Sequence, residues 1–408
     1  MLFSGIGLYG SERANLEVAK ALQRQGLTVR IVVSSASWAV DMRKHLEREE
    51  FDTVTAPFLV IDQKKSVRGL IANIFRVMKG SVMLLIECFK YRPSHLFCGT
   101  QLSILSFYPA LRVLSVPLVY RSGDQPILHN RVFRMSWQLL LSKCVRFVAV
   151  SEFISEGMVG HGVRRNLVEV IYSKPPGRRP PERRPPERRP PVSLTVNPQS
   201  LVDRSEKPRA ESSEIAAEQD PVSFVMTFIG QIREQKGVAL LAQAALTLVE
   251  DYPHLQVNFA GRISNWEGDR WANQFKADVL SQASLAPHVK FLGFIEDVPS
   301  LIRSSDVIVV PTLTQEPLAN VVFEAKLEGR AVIVFPSGGL PEVVNHKVDG
   351  YVCSAGSTDA LVDALRHYLE HPERASAHGQ RSRASLDQFG MAAFDQTWAN
   401  VFLGITNE

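Results

Sequence analysis

Residues 306–335 read DVIVVPTLTQEPLANVVFEAKLEGRAVIVF, and that stretch decides the fold. The run DVIVVP at 306–311 is short and continuously apolar, the pattern of a strand buried on both faces. A helix is predicted from Pro317, since proline is favoured in a first helical turn, and AVIVF at 331–335 returns as a second buried strand. Strand, helix and strand in so short a span make a βαβ unit, whose strands run parallel.

The same stretch carries two carboxylates, Glu316 just ahead of Pro317 and Glu324 eight residues on. In a helix eight residues are a little over two turns, about 12 Å of rise, and bring both side chains within a quadrant of each other. One face can then hold two separated hydroxyl-bearing groups, with the first-turn backbone N–H groups of Leu318, Ala319 and Asn320 favouring a phosphate between them. The plainer alternative is a capping Glu316 and a solvated Glu324. Against it stands the position at the ligand edge of a parallel sheet, followed by the glycine loop FPSGGLPEVV (335–344) and HKVDGYVC (346–353).

The alternation extends in both directions. Upstream, VSFVMTFIG (222–230) opens the series, followed by a helix over Val238 to Glu250, the strand LQVNFAG, another helix and the strand VKFLGF. Downstream, a last segment from about Phe389 to Leu403 places Phe394, Trp398 and Phe402 at four-residue spacing, an apolar stripe that needs a surface to cover it. From roughly Lys174 to Asp220 the pattern collapses: ten of the 24 prolines fall between Pro175 and Pro208, around GRRPPERRPPERRPP. That composition reads as a linker or insertion with no chemistry, extended where prolines pair. Ahead of it a second alternating series begins with MLFS, a glycine-rich turn, a helix from about Ser11 to Gln25 and the strand LTVRIVVSS; VPLVYRS and VRFVAVS follow as further strands. The organisation expected is residues 1–175, a linker at 176–220, a second domain at 221–388, and a C-terminal segment at 389–408 that carries this stripe.

Three motifs in order resemble family 4 of the retaining glycosyltransferases. The family's Glu, seven residues, Glu pattern stands as EPLANVVFE (316–324), its lysine-glycine turn as FIGQIREQKGV (228–238), and its Gly-Gly-x-Pro-Glu loop as GGLPE (338–342). In the N-terminal half, YGSERANLEVAKALQRQG (9–26) looks like the family's opening loop and first helix, and VSEFISEGMVGHGV with VEVIYSKPP like the end of its acceptor domain. The resemblance implies the GT-B fold, two Rossmann-like doubly wound parallel-sheet α/β domains facing a cleft, with the C-terminal helix at 389–408 packing back on the N-terminal domain and so covering Phe394, Trp398 and Phe402. It also implies a donor, a nucleoside diphosphate sugar, held by the C-terminal domain, and no separate cofactor. By position, Glu316 would hydrogen-bond the donor sugar, Glu324 the ribose, and Lys236 would neutralise the diphosphate as the leaving group gains charge. Gly10 matches the family's position in the opening loop, where Gly7 and Gly10 would let the backbone approach the donor phosphate or the acceptor.

Departures from the family pattern are informative. Gln231 stands where the family has an arginine five residues before the lysine; its amide can hydrogen-bond the donor phosphate but not offset its charge, so Arg233 is the candidate to supply that charge. Ala319 replaces a more usual glycine. The loop YRSGDQP offers Asp124 as an acid near the reacting sugar with no histidine before it, and Arg121 as a cleft-lining group; Asp124 as a mere turn residue beside Gly123 is an equal alternative. The acceptor implied is a glycan or lipid-linked hydroxyl, in cell-surface polysaccharide or glycolipid synthesis.

Bulk composition bounds the remaining readings. In a chain of 408 residues the net charge of +4 arises in Arg178, Arg179, Arg183, Arg184, Arg188 and Arg189, partnered only by Glu182 and Glu187; setting these aside leaves 40 of the 46 basic and 40 of the 42 acidic residues. Nucleic-acid binding loses its support. Cys88, Cys98, Cys144 and Cys353 are scattered through apolar runs and suggest reduced thiols rather than a disulfide framework or a zinc site. No Asp-x-Asp triplet occurs, and His367 with His371 has no third ligand before Pro372, so no metal is expected. No stretch is expected to reach the ~20 apolar residues of a membrane span, and the opening lacks a signal peptide's basic head and apolar core, which together imply a cytoplasmic protein. The stretch from Arg68 to Arg92 mixes apolar and basic residues; it reads either as a peripheral contact with the membrane face or, more commonly, as a domain helix with a solvated basic edge.

Two rivals are carried. GIGLYG (5–10) satisfies the GxGxxG letters of an NAD-dependent oxidoreductase, but the second strand ends in VVSSAS with Asp41 well beyond, so the ribose-binding acid is missing. Gln231 and the missing histidine motivate a non-catalytic nucleotide-sugar-binding module.

Overall fold

The structure is a computed structural model that describes residues 1–3, 10–60, 67–174, 223–263 and 270–404. Gly7 and the proline-arginine repeat lie outside the described residues. The N-terminal half builds a seven-stranded sheet from β1 (Leu2–Phe3), β2 (Arg30–Ser34), β3 (Asp52–Ala56), β4 (Leu96–Cys98), β5 (Leu118–Ser122), β6 (Cys144–Ala149) and β7 (Val168–Val170), in the order β3-β2-β1-β4-β5-β6-β7. The C-terminal half builds a six-stranded sheet from β8 (Phe224–Ile229), β9 (Leu255–Ala260), β10 (Val289–Gly293), β11 (Val307–Val310), β12 (Ala331–Val334) and β13 (Tyr351–Val352), in the order β10-β9-β8-β11-β12-β13. Every pairing in both sheets is parallel. In each sheet the strand order reverses beside the first strand, between β1 and β4 and between β8 and β11. Such switch points open the crevice in which doubly wound sheets bind ligands. The fold is GT-B: two Rossmann-like parallel-sheet domains.

Burial follows the sequence pattern. All residues of β11 and β12 are buried, as continuous Val/Ile runs between two helical layers must be. In the Gly10–Arg24 helix, Ala14, Val18, Ala21 and Leu22 turn inward. Phe394, Trp398 and Phe402 of the Phe394–Leu403 helix are buried against that first helix and the N-terminal sheet, with the Trp398 ring 5.9 Å from Phe97. Asp395 of the same helix takes two hydrogen bonds from Arg24, at 2.5 and 2.9 Å, and an ion pair from Lys174 at 3.4 Å. One apolar core runs without interruption from Ile154 and Met158 of the N-terminal half to Leu318, Phe323 and Leu340 of the C-terminal half. Tyr172, Phe323 and Phe389 pack their rings together within 5.2–6.1 Å, near the points where the chain leaves and re-enters the N-terminal half.

Two expectations are corrected. The helix after β11 begins at Asn320, not Pro317. The Glu316 N–H donates to Ser337 Oγ at 3.3 Å and its carbonyl accepts from the Gly339 N–H at 2.9 Å, so the main chain at Glu316 is committed to the glycine loop and cannot enter a helix. The second concerns length and apolarity: the Val67–Tyr91 helix, with a mean hydropathy of 1.6 over 18 residues, does reach the dimensions of a membrane span. Its charged residues are spaced widely enough to leave such a window between them.

Candidate functional site at the second switch point

The loops leaving β8 and β11 meet at the switch point of the C-terminal sheet. The chain leaves β8 through Gly230 to Lys236 and turns at Gly237, whose φ of +69° is open to glycine. A Cβ there would lie 1.8 Å from the Pro311 carbonyl oxygen, so glycine is required for the two loops to touch. The Leu313 N–H donates to the Gln235 carbonyl at 2.9 Å and closes the contact. This juxtaposition brings Lys236 Nζ to 2.5 Å from Glu316 Oε2, although the two residues are 80 positions apart. Lys236 and Glu316 are both part-exposed.

The GGLPE loop supports Glu316 from the other side. Gly338 has φ +56°, and a Cβ on it would lie 2.1 Å from the Glu316 carbonyl oxygen. Its N–H donates to Gln315 Oε1 at 3.1 Å, while Ser337 Oγ bonds the Thr314 carbonyl. Glu324 lies on the Asn320–Leu327 helix, half-buried. Burial pushes its carboxyl above the usual glutamate range, and Arg13 of the first N-terminal helix opposes the rise. Two residues on, Lys326 is wholly buried and bonded to Asp349 at 3.0 Å and to Ser385 at 2.9 Å, which pins the helix to the segment HKVDGYVC.

Of the other predicted residues, Gln231 and Arg233 are both exposed while Ile232 between them is buried, so the two share one side of an extended segment. Leu318 and Ala319 lie in the loop before the helix, with Ala319 at its N-cap and Asn320 its first residue. Gly10 opens the first N-terminal helix. Asp124 follows β5; desolvation first, and the nearby Glu316 carboxylate second, raise its pKa, with Arg121 acting against them. The charge on Glu316 in the C-terminal half is thus felt at Asp124 in the N-terminal half. Arg121 is not a cleft-lining group: it is buried, donates to Asn15 Oδ1 at 3.0 Å and Ser173 Oγ at 2.9 Å, and burial lowers its pKa to about 10. Its strand, β5, is central and aims it into the domain rather than out of it.

Glu342, quoted in the GGLPE motif without a role, reaches into the other half. Its carboxylate accepts the backbone N–H groups of Glu152 at 2.8 Å and Phe153 at 2.7 Å, at the start of the Glu152–Gly160 helix, and the Tyr172 hydroxyl at 3.3 Å. Ser151 caps the next N–H, so three of the four orphan donors of that helix end have acceptors from side chains. Gly339 makes this approach possible, because a Cβ there would come within 2.9 Å of Ser151 Cβ. Among the described residues no group of three or more His, Cys, Asp or Glu is placed to hold a metal ion. A cavity of about 530 Å³ lies at the opposite, N-terminal edge of the first sheet, lined by residues such as Val29, Leu96 and Phe402, and is remote from these groups.

Comparison with known proteins agrees with this geometry. The family description Glycosyltransferase Family 4 matches residues 9–173, and Glycosyl transferases group 1 matches residues 223–371. The chain is similar to spore coat protein SA of Bacillus subtilis, 34% identical over 183 residues (44% of this chain, 48% of that protein). It is also similar to the lipopolysaccharide core biosynthesis mannosyltransferase LpcC of Rhizobium leguminosarum bv. viciae, 29% identical over 175 residues (43% and 49%). These matches span about half the length of the curated relatives. Among solved structures, Anabaena Alr3699/HepE in complex with UDP superposes with a TM-score of 0.72 at 17% identity, covering 99% of this chain and 98% of that one. With one family description on each half, in the order in which the two sheets follow along the chain, the chain belongs to the group 1, family 4 glycosyltransferases.

Proposed function

We propose that the chain is a retaining glycosyltransferase that moves a sugar from a nucleoside diphosphate sugar to an acceptor hydroxyl, in cell-surface polysaccharide or glycolipid synthesis. The observation that carries the reading is the meeting of Lys236 and Glu316 at the β8/β11 switch point, with Glu324 on the helix that follows. The donor domain is residues 221–388 and the acceptor domain residues 1–175, with 176–220 as linker and 389–408 as a brace. The nucleotide complex of HepE supports a uridine diphosphate donor, and LpcC supports a lipid-linked or cell-surface glycan acceptor. In this reading the protein works in the cytoplasm, at the membrane face.

In this reading Glu324 accepts hydrogen bonds from the ribose and Glu316 from the sugar. Lys236, already held by Glu316, turns its charge to the diphosphate, helped by Arg233 on the side Gln231 shares. The N–H groups at Leu318, Ala319 and Asn320 face the phosphates, and Gly7 and Gly10 let the opening loop come close. The bond from the anomeric carbon to the phosphate oxygen breaks as the acceptor oxygen bonds that carbon on the same face. The acceptor proton passes to the departing phosphate, and the cations stabilise the charge developing there. Asp124, on the acceptor side, borders the reacting sugar. No separate cofactor takes part.

The test is thermal stability against UDP, GDP, ADP, CMP and NAD, each with and without EDTA. At a ligand concentration 100 times its dissociation constant the gain is ~2.7 kcal/mol. A shift with UDP that survives EDTA and disappears in Lys236→Ala is the expected result. Stabilisation by NAD alone would overturn the reading, and a nucleotide shift without sugar transfer to any acceptor would leave a binding module.

A further inference from the structure

The Val67–Tyr91 helix divides lengthwise into three sectors. One is buried: Gly80, Leu84 and Cys88 face the domain, and a Cβ on Gly80 would lie 2.6 Å from the Pro57 carbonyl oxygen and 3.3 Å from the Phe107 ring. The second is apolar and open. At about 100° per residue, Val67, Ile71, Phe75, Met78, Val82 and Phe89 fall within roughly 80° of one another around the axis. Val67 is 73% exposed, Phe75 72% and Phe89 82%. The third sector is basic: Arg68, Arg76, Lys79 and Lys90 line one edge of the apolar stripe, at roughly 100–180° on the same wheel. The helix's one acid, Glu87, is held 2.9 Å from Arg30 and offers that edge no countercharge.

We infer that this helix is the protein's docking surface for an anionic lipid membrane, lying in the interface with its apolar stripe immersed and its basic edge among the headgroups. The helix is long and apolar enough to span a bilayer, but a span would strip Gly80, Leu84 and Cys88 from the domain. A helix fixed along one side lies on a membrane rather than crossing it. Charge selects the occupant. Outside the proline-arginine repeat, acids and bases balance over the whole chain. Four cations beside one apolar stripe are therefore a local segregation, which a negatively charged surface complements. A second copy would bring four more cations to the same rim.

The inference is independent of the donor reading and is tested on the full chain by co-sedimentation with vesicles of phosphatidylcholine alone and of equimolar phosphatidylcholine and phosphatidylglycerol. Binding to the anionic vesicles is expected to exceed that to the neutral ones by about tenfold or more and to weaken with salt. The double variant Phe75→Glu, Phe89→Glu should abolish it, and Arg68→Gln, Lys79→Gln, Lys90→Gln should remove the preference for anionic lipid. Unchanged melting temperatures and UDP shifts in the variants show that fold and donor site persist, so failure here is distinct from failure there. No binding to anionic vesicles, or binding indifferent to the double variant, overturns the inference. So does a dimer in sedimentation velocity that the double variant converts to monomer, which would assign the face to a second copy.

Discussion

Glu324 occupies a position that burdens the folded chain and suits a ligand. Burial raises its pKa, so folding makes the carboxyl easier to protonate than it is in the unfolded chain. The folded state then binds more protons than the unfolded one above pH 4.5, and the apo protein should gain stability as pH falls toward that value. A ribose hydroxyl bonds more strongly to the ionised form, the better acceptor, so nucleotide affinity should move the opposite way, falling as pH drops from 7 toward the raised pKa. Glu324→Gln should therefore raise the apo melting temperature at pH 7, weaken UDP binding, and flatten its pH dependence. Titration calorimetry across that window decides the matter, and an affinity as pH-dependent in the variant as in the parent would remove Glu324 from the ribose. At this scale the sequence is legible where a motif is local: Glu316, Lys236 and the paired glycines announce themselves by spacing and order. The influence of Arg13 on Glu324 and of Glu316 on Asp124, and the burial of Arg121, are invisible to it, because each depends on how two distant segments come together.

Among the elements, β11, its following helix and β12 are readable because parallel strands between two layers are continuous apolar runs. β3 carries Asp52 and Thr55 into solvent at the sheet edge, and β4 is three residues long, so neither leaves a pattern. The helix expected from Pro317 begins three residues late because loop hydrogen bonds outcompete the proline's preference. The GGLPE loop shows a second limit: its glycines are legible as a close approach, but the use of its last residue is a matter of tertiary contact. Glu342 closes the N-terminus of the Glu152–Gly160 helix from the other half of the molecule, adding a negative charge where the helix dipole is positive. Glu342→Ala should cost about 1–2 kcal/mol, as loss of an N-cap does, and Glu342→Gln, which keeps an acceptor, should cost less. Hydrogen exchange localises the effect: the Glu152 and Phe153 amides should lose protection in the alanine variant while amides in β11 keep theirs. Unaltered protection at those two amides would mean that the carboxylate is not their partner in solution.

For the molecule as a whole, two kinds of contact hold the C-terminal helix on the N-terminal half, and their magnitudes differ. The Asp395 pair with Arg24 has good geometry, but Arg24 is half exposed, and ion pairs at such sites contribute about 0–1 kcal/mol. Trp398 is wholly buried against Phe97, and emptying such a site costs about 3–5 kcal/mol. Apolar docking should therefore dominate, and pH separates the two terms. The Asp395 carboxyl is held below its usual value, first by the Arg24 hydrogen bond. Its contribution is accordingly complete above the unfolded value of 3.8 and is lost as pH falls through the lower folded pKa. Asp395→Asn should lower the melting temperature slightly at pH 7, and the gap from the parent should close below pH 3.8. Trp398→Ala should lower it several-fold more, by an amount that does not change with pH, because a cavity has no proton to bind. If the asparagine variant were instead as damaging as the alanine variant at pH 7, charge rather than the aromatic stripe would be what returns the chain's end to its beginning.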